Sequence, residues 1–219
     1  MSNVYNTLLE AVKSSPKIDL NFDLSYKVVF SALHGNFPVN SAIQGSILDF
    51  PVDLRLEYHI YTNTKGNFPV NSCLRGTIGG EAFFAKMNYK AMYNTIIGNM
   101  PVNTGITVKW NDARQFLRMP TRWAIAPARG SGMGGGGKKK FGMHTIRKVR
   151  GGQIIEVDNV GDGDGGPSQN SGRPLPAGLH GRIGDLLLDI DFSYTYFTNT
   201  ITGRNPINNK ATGTIRLAA

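Results

Sequence analysis

Cysteine is almost missing: Cys73 is the only one in 219 residues. A disulfide framework and a thiolate-built metal site both need more than one, so both are excluded. A single thiol fits a reducing compartment. Nor does any apolar run approach the roughly 20 residues that a membrane-spanning helix requires. The start, Met1-Ser2-Asn3-Val4, has no basic n-region and no apolar h-region. No secretory signal is therefore expected, and the location implied is the cytoplasm or a virion. His34, His59, His144 and His180 are dispersed, and none has a second ligand at i+2 or i+4, so no metal is implied. Acidic residues are few, 15 against 24 basic ones, which leaves a formal charge of +9.

Glycine and proline are plentiful, at 27 and 11, which speaks against a helical bundle. Hydrophobic residues reach 40%, enough for a packed core. Between Ser2 and Ser14, Val4, Leu8, Leu9 and Val12 fall at helical spacing, with Ser2 or Asn3 available as a cap. The segment 1–16 therefore reads as a short helix packed on the main domain.

The strongest signal is an internal repeat. Gly35-Asn36-Phe37-Pro38-Val39-Asn40 returns as Gly66-Asn67-Phe68-Pro69-Val70-Asn71 and as Gly98-Asn99-Met100-Pro101-Val102-Asn103. A looser fourth copy is Gly203-Arg204-Asn205-Pro206-Ile207-Asn208. A tyrosine precedes each glycine by eight or nine residues: Tyr26, Tyr58, Tyr89 and Tyr194. After the final Asn, an apolar residue stands at +3 in copies one to three (Ile43, Leu74, Ile106). Glycine stands at +5 in three copies (Gly45, Gly76, Gly213), and a large apolar residue at +7 in all four (Ile47, Ile78, Trp110, Ile215). Cys73 aligns with Ala42, which makes it a small packing residue rather than a nucleophile.

The flanks alternate with period two. Leu188, Ile190, Phe192, Tyr194 and Tyr196 fall on one face, as do Leu24, Tyr26, Val28 and Phe30. That is the pattern of half-buried antiparallel strands. Each unit thus reads as strand, turn, strand. Gly supplies backbone freedom in the turn, Pro stops the ladder, and Asn satisfies local backbone groups. The glycines at +5 mark bulges or close backbone approach. Four such hairpins predict an all-β fold, an antiparallel barrel or a sandwich such as a jelly roll, since closing or doubling the sheet removes exposed edges.

The repeat is interrupted between Gly98 and Gly203. The β-domain reads as 17–129 plus 182–219, with a Gly-rich insertion over 130–181. Inside the insertion, two strand-like runs flank Gly151-Gly152, which predicts a projecting hairpin on glycine-rich hinges. Charge concentrates nearby: residues 109–150 carry eleven basic side chains and one acid, Asp112, while the other 177 residues sum to −1. The candidate anion- or nucleic-acid-binding set is Arg114, Arg118, Arg122, Arg129, Lys138, Lys139, Lys140, Arg147, Lys148 and Arg150, with Trp123 and Phe141 for base stacking. Trp110, at an apolar repeat position, is expected in the core. The repeated turns suggest a second ligand class. Asn36, Phe37, Asn67, Phe68 and Asn99 are candidate contacts to carbohydrate, with the two phenyl rings exposed.

Chemical motifs fall away on inspection. Gly132-x4-Gly137-Lys138 is followed by Lys139, not by the Ser or Thr of a P-loop. Asp158, Asp162 and Asp164 start a calcium-like loop, but Gly166 and Arg173 occupy ligand positions. No cofactor, metal or enzymatic activity is expected. The residues suggest a non-catalytic binding and self-assembling protein with a basic arm for nucleic acid, as in a viral or phage coat or tube protein. The alternative is a lectin-like protein that uses the repeated loops.

Overall fold

The described residues fold as one short helix and fourteen strands. They are α1 (Asn3–Ser14), β1 (Ile18–Ser31), β2 (Gly35–Ile47), β3 (Phe50–Asn63), β4 (Gly66–Ile78), β5 (Glu81–Met92), β6 (Met100–Trp110), β7 (Ala113–Arg118), β8 (Thr121–Ala124), β9 (His144–Arg150), β10 (Gln153–Asn159), β11 (Arg173–Pro176), β12 (Gly178–Ile183), β13 (Leu186–Asn199) and β14 (Gly203–Leu217). This computed structural model describes residues 3–31, 33–92, 99–110, 113–124, 144–150, 153–159, 173–199, 201 and 203–218.

Ten strands close an antiparallel barrel in the order β1-β14-β13-β12-β7-β6-β5-β4-β3-β2. Neighbours in space are neighbours in sequence, apart from the step from β7 to β12 and the closing pair β1–β14. The fold is thus a meander barrel, and the sandwich and jelly-roll options are set aside. Closure pairs β1 with β14, so both halves of the interrupted repeat share one wall. The wall resumes at Gly178, where β12 pairs with β13, rather than at residue 182. In the interruption, β8 pairs with β11, Ala124 opposite Arg173. The expected hairpin also forms: β9 pairs with β10, Arg150 opposite Gln153 across a two-residue connection.

Each repeat hairpin has two stretches. Its base belongs to the wall, where Ile18, Leu20, Phe22 and Leu24 of β1 face inward while Asp19, Asn21 and Asp23 face out. On β3, Val52, Leu54 and Leu56 face in while Asp53, Arg55 and Glu57 face out. A charged outer face of this kind is one that water, not hydrocarbon, solvates. No helix among the described residues is long and apolar enough to cross a membrane.

Beyond the wall the hairpins become separate arms. β2 pairs with β3 only through Ala42–Ile47, and β4 pairs with β5 only through Cys73–Ile78. Past those points the described ladders run within a hairpin and not between hairpins. The parting point is a bulge. Register shifts occur between Ser25 and Tyr26, Glu57 and Tyr58, Asn88 and Tyr89, and Ser193 and Tyr194, each opposite a repeat Asn. A bulge adds twist and bends the strand, which swings each arm out of the wall. The glycines at +5 are not the bulges. They lie where the neighbouring strand comes close: a Cβ at Gly76 would sit 2.0 Å from Asp53 O.

The arm geometry also corrects a burial expectation. Leu24 is buried, but Tyr26, Val28 and Phe30 on the same strand face are exposed, Phe30 by 77%. The alternation persists, yet past the bulge that face no longer points into the lumen.

At the other end α1 seats on the turns of the wall, burying Val4, Tyr5, Leu8 and Val12. Of the two expected caps Ser2 lies outside the described residues, and the N-terminus takes an acceptor from far along the chain. Glu81 Oε1, from the start of β5, accepts from the N–H groups of Asn3 (2.7 Å) and Val4 (3.1 Å). Tyr5 Oη accepts from Asp185 N at 3.0 Å, which ties the helix to the β12–β13 turn. Trp110 packs edge-on against Tyr5 and Phe83, as expected of a core-facing position.

Candidate functional site

The repeat letters map onto layers inside the arms. The residues before Pro are Phe37, Phe68, Met100 and Asn205, and the residues after it are Val39, Val70, Val102 and Ile207. All eight line one cavity of about 110 Å³, together with the four prolines and the repeat asparagines. Phe37 and Phe68 are 3% and 1% exposed and meet edge-on at 5.2 Å. Neither ring offers a face to a sugar, so the expectation of exposed phenyl rings is overturned. The physical reason is that the six-residue motif lies along the returning strand rather than in the turn. The turn itself is Leu33–His34 or Thr64–Lys65. Asn36, Asn67 and Asn99 are exposed near the arm tips. Asn67 Oδ1 accepts from Thr62 Oγ1, and the carbonyls of Asn36 and Asn99 accept from Asn199 and Asn63 of adjoining arms.

The final Asn of each motif does something that local turn chemistry does not predict. Asn103 Nδ2 donates to Asn71 O, Asn71 Nδ2 to Asn40 O, and Asn40 Nδ2 to Asn208 O, at 2.8, 2.8 and 2.6 Å. Each amide also donates within its own hairpin, to Ser25 O, Glu57 O or Asn88 O. A primary amide has two N–H donors, and both are used. The carbonyls served are those that lose a strand partner where the hairpins part. A buried carbonyl without a partner is costly, so the side chain replaces the missing ladder bond. Proline belongs at the same edge because it has no N–H to leave unpaired.

The repeat tyrosine has a matching role. Lys27 stands 4.4 Å over the ring of Tyr58, His59 lies 4.9 Å from Tyr89, and Phe197 lies 6.3 Å from Tyr26. One face of three of the arms therefore packs on the tyrosine of the next.

The basic set follows the interruption. Arg114 and Arg118 lie on β7, Arg122 and Trp123 on β8, and Arg147, Lys148 and Arg150 on β9. Arg129, Lys138, Lys139, Lys140 and Phe141 lie outside the described residues. In register, Arg114 stands opposite Lys109 of β6, and Arg118 stands opposite His180 of β12. Arg118 and Lys109 are exposed. Like charges directly opposite each other on a sheet are unfavourable unless an anion joins them. His180 itself turns to Asp189, Nδ1 to Oδ1 at 2.5 Å, and Arg216 reaches the other Asp189 oxygen at 3.4 Å. In strand order β7 lies across the barrel from β1, which presents Asp19 and Asp23.

Cys73 is buried, and its thiol donates to Glu57 Oε2 at 3.0 Å. Burial, and then the Glu57 carboxylate, push that thiol up from its ordinary value. No group of three or more His, Cys, Asp or Glu side chains that could hold a metal occurs among the described residues. No protein-family model, curated protein or solved structure matches this chain.

Proposed function

We propose that this chain is a non-catalytic binding and assembly protein. The barrel is its structural body, and the basic interruption engages an anionic polymer, specifically single-stranded nucleic acid. A subunit of a viral or phage coat or tube would divide labour in this way. The observation that carries the reading is the placement of charge. A +10 excess sits in residues 109–150, and its described part falls on the consecutive strands β6, β7, β8 and β9. Phosphate contacts would neutralise the opposed Lys109–Arg114 pair and release counterions on binding.

The test is fluorescence anisotropy with labelled single-stranded RNA and DNA across a salt series. If about six charges meet phosphates, log K falls against log salt with a slope of roughly −4 to −5. Binding that ignores salt, or no binding at low salt, would sink the reading. Light scattering on the purified protein, with the absorbance ratio at 260 and 280 nm, reports assembly and co-purified nucleic acid.

A further inference from the structure

Strand pairing gathers a basic face that residues 109–150 do not make by themselves. Three outward rows cross the wall over β5, β6, β7 and β12. In one row Lys86 stands opposite Thr107, and Thr107 opposite Phe116. In the next, Asn88 stands opposite Gly105, Gly105 opposite Arg118, and Arg118 opposite His180. Because β7 and β12 are antiparallel, Arg182 comes level with Phe116. A Cβ on the adjacent Gly181 would stand 2.7 Å from the Leu117 side chain, which agrees with that register. The third row sets Lys109 opposite Arg114. Lys86, Lys109, Arg118 and Arg182 are exposed, and no residue of the three rows is acidic.

An aromatic ring stands in the middle of these cations. Phe116 is 56% exposed on the outer face of the wall, so it contributes little to the core. Its ring lies over Gly105, where a Cβ would come within 2.4 Å of Phe116 Cζ. The missing side chain lets the ring settle on the sheet and fixes its place. An aromatic ring held on a sheet and surrounded by cations can bind unpaired bases by stacking while the cations meet phosphates.

We propose that the outer face of β5, β6, β7 and β12 binds single-stranded nucleic acid. A base stacks on Phe116, and the flanking phosphates meet Lys86, Arg182, Arg118 and Lys109. The partner class rests on the nucleic-acid reading above. What is added is the place: part of the binding surface is the barrel wall itself. Two of its cations, Lys86 and Arg182, lie outside the basic segment in sequence. Strands about 4.8 Å apart and alternate residues about 6.8 Å apart give a patch roughly 14 Å on a side. That suits a few nucleotides of single strand. A duplex keeps its bases stacked on each other and offers none to the ring.

The probes are a short labelled oligo-dT and a DNA duplex of the same length, followed by anisotropy with the full chain. Phe116→Leu keeps an apolar cover on Gly105 but removes the stacking ring. It is expected to lower the ratio of single-strand to duplex affinity about fivefold or more, while Phe116→Tyr keeps the wild-type ratio. Replacing Lys86 and Arg182 together by Ala should make the salt slope for oligo-dT shallower by about 1.4, for two phosphates. An unchanged ratio in Phe116→Leu, or an unchanged slope in the double variant, overturns the wall site while the nucleic-acid reading stands. No oligo-dT binding by the wild-type chain overturns both. Should a variant fail to fold, photo-crosslinking of the wild-type chain to an oligonucleotide carrying 5-iodouracil decides the matter. An adduct on Phe116 is expected, and adducts confined to residues outside β5, β6, β7 and β12 overturn the site.

Discussion

Within the G-x-x-P-[VI]-N motif, adjacent letters carry unequal weight. Asn71 donates to Asn40 O in one arm and to Glu57 O in its own. Asn71→Ala removes both bonds and strands two acceptors, at a cost of about 2–4 kcal/mol. Pro69→Ala adds an N–H at an edge without a ladder partner, and its cost stays within about 1 kcal/mol, mostly from a looser unfolded chain. Urea denaturation of both variants checks the order, and a Pro69 variant less stable than the Asn71 one would refute it. At Gly35 the reason for glycine is double. Its φ is +71°, and a Cβ would stand 2.7 Å from Asn199 Oδ1 of the neighbouring arm. Cys73 gives a residue-scale prediction in pH terms. Its pKa is raised by burial and then by Glu57, so at a given pH it holds less thiolate than an ordinary cysteine. A disulfide reagent at pH 8 should label the folded protein about tenfold or more slowly than the urea-unfolded chain. Equal rates would show that the Cys73 site is open.

Among the elements, α1 shows how little of a short helix's stability is its own. Twelve residues are marginal in isolation. This helix is held by Leu8, fully buried against the wall, and by Glu81 at its N-terminus. Leu8→Ala should cost about 3 kcal/mol, and Glu81→Ala about 1 kcal/mol through the lost cap. Thermal melts compare them, and a larger loss at Glu81 would mean that the cap, not the apolar face, seats the helix. The alternation in β1 and the heptad-like spacing in α1 are both legible from residue order. The acceptor from β5 is not, because 78 residues separate Asn3 from Glu81.

At the scale of the molecule, the interruption is built to be separable. Its flanking strands β8 and β11 are hydrogen-bonded partners, so the chain leaves and re-enters at adjacent points. Deleting 130–166 keeps the residues next to Ala124 and Arg173, and a short loop can join them. The deletion variant is expected to retain the barrel's near-ultraviolet circular dichroism and its cooperative melt. Its nucleic-acid affinity should fall about a hundredfold at low salt, since it loses Lys138, Lys139, Lys140, Arg147, Lys148 and Arg150. Loss of the cooperative melt would show instead that the insertion is part of the wall.

Residue order alone determined the number of hairpins, the strand faces of the wall, the helix, the core position of Trp110 and the uneven charge. All of these rest on periodicity or counting, which act over a few residues. Tertiary structure decided what the repeat is for. Each motif contributes one residue to a layer, and a layer exists only when four arms stand side by side. The asparagine donors serve carbonyls 31, 32 and 168 residues away, where hairpins part at their bulges. The departure at Ala211 was visible in the aligned copies. That Ala211 lines a cavity inside the barrel follows from closure, which brings β14 against β1.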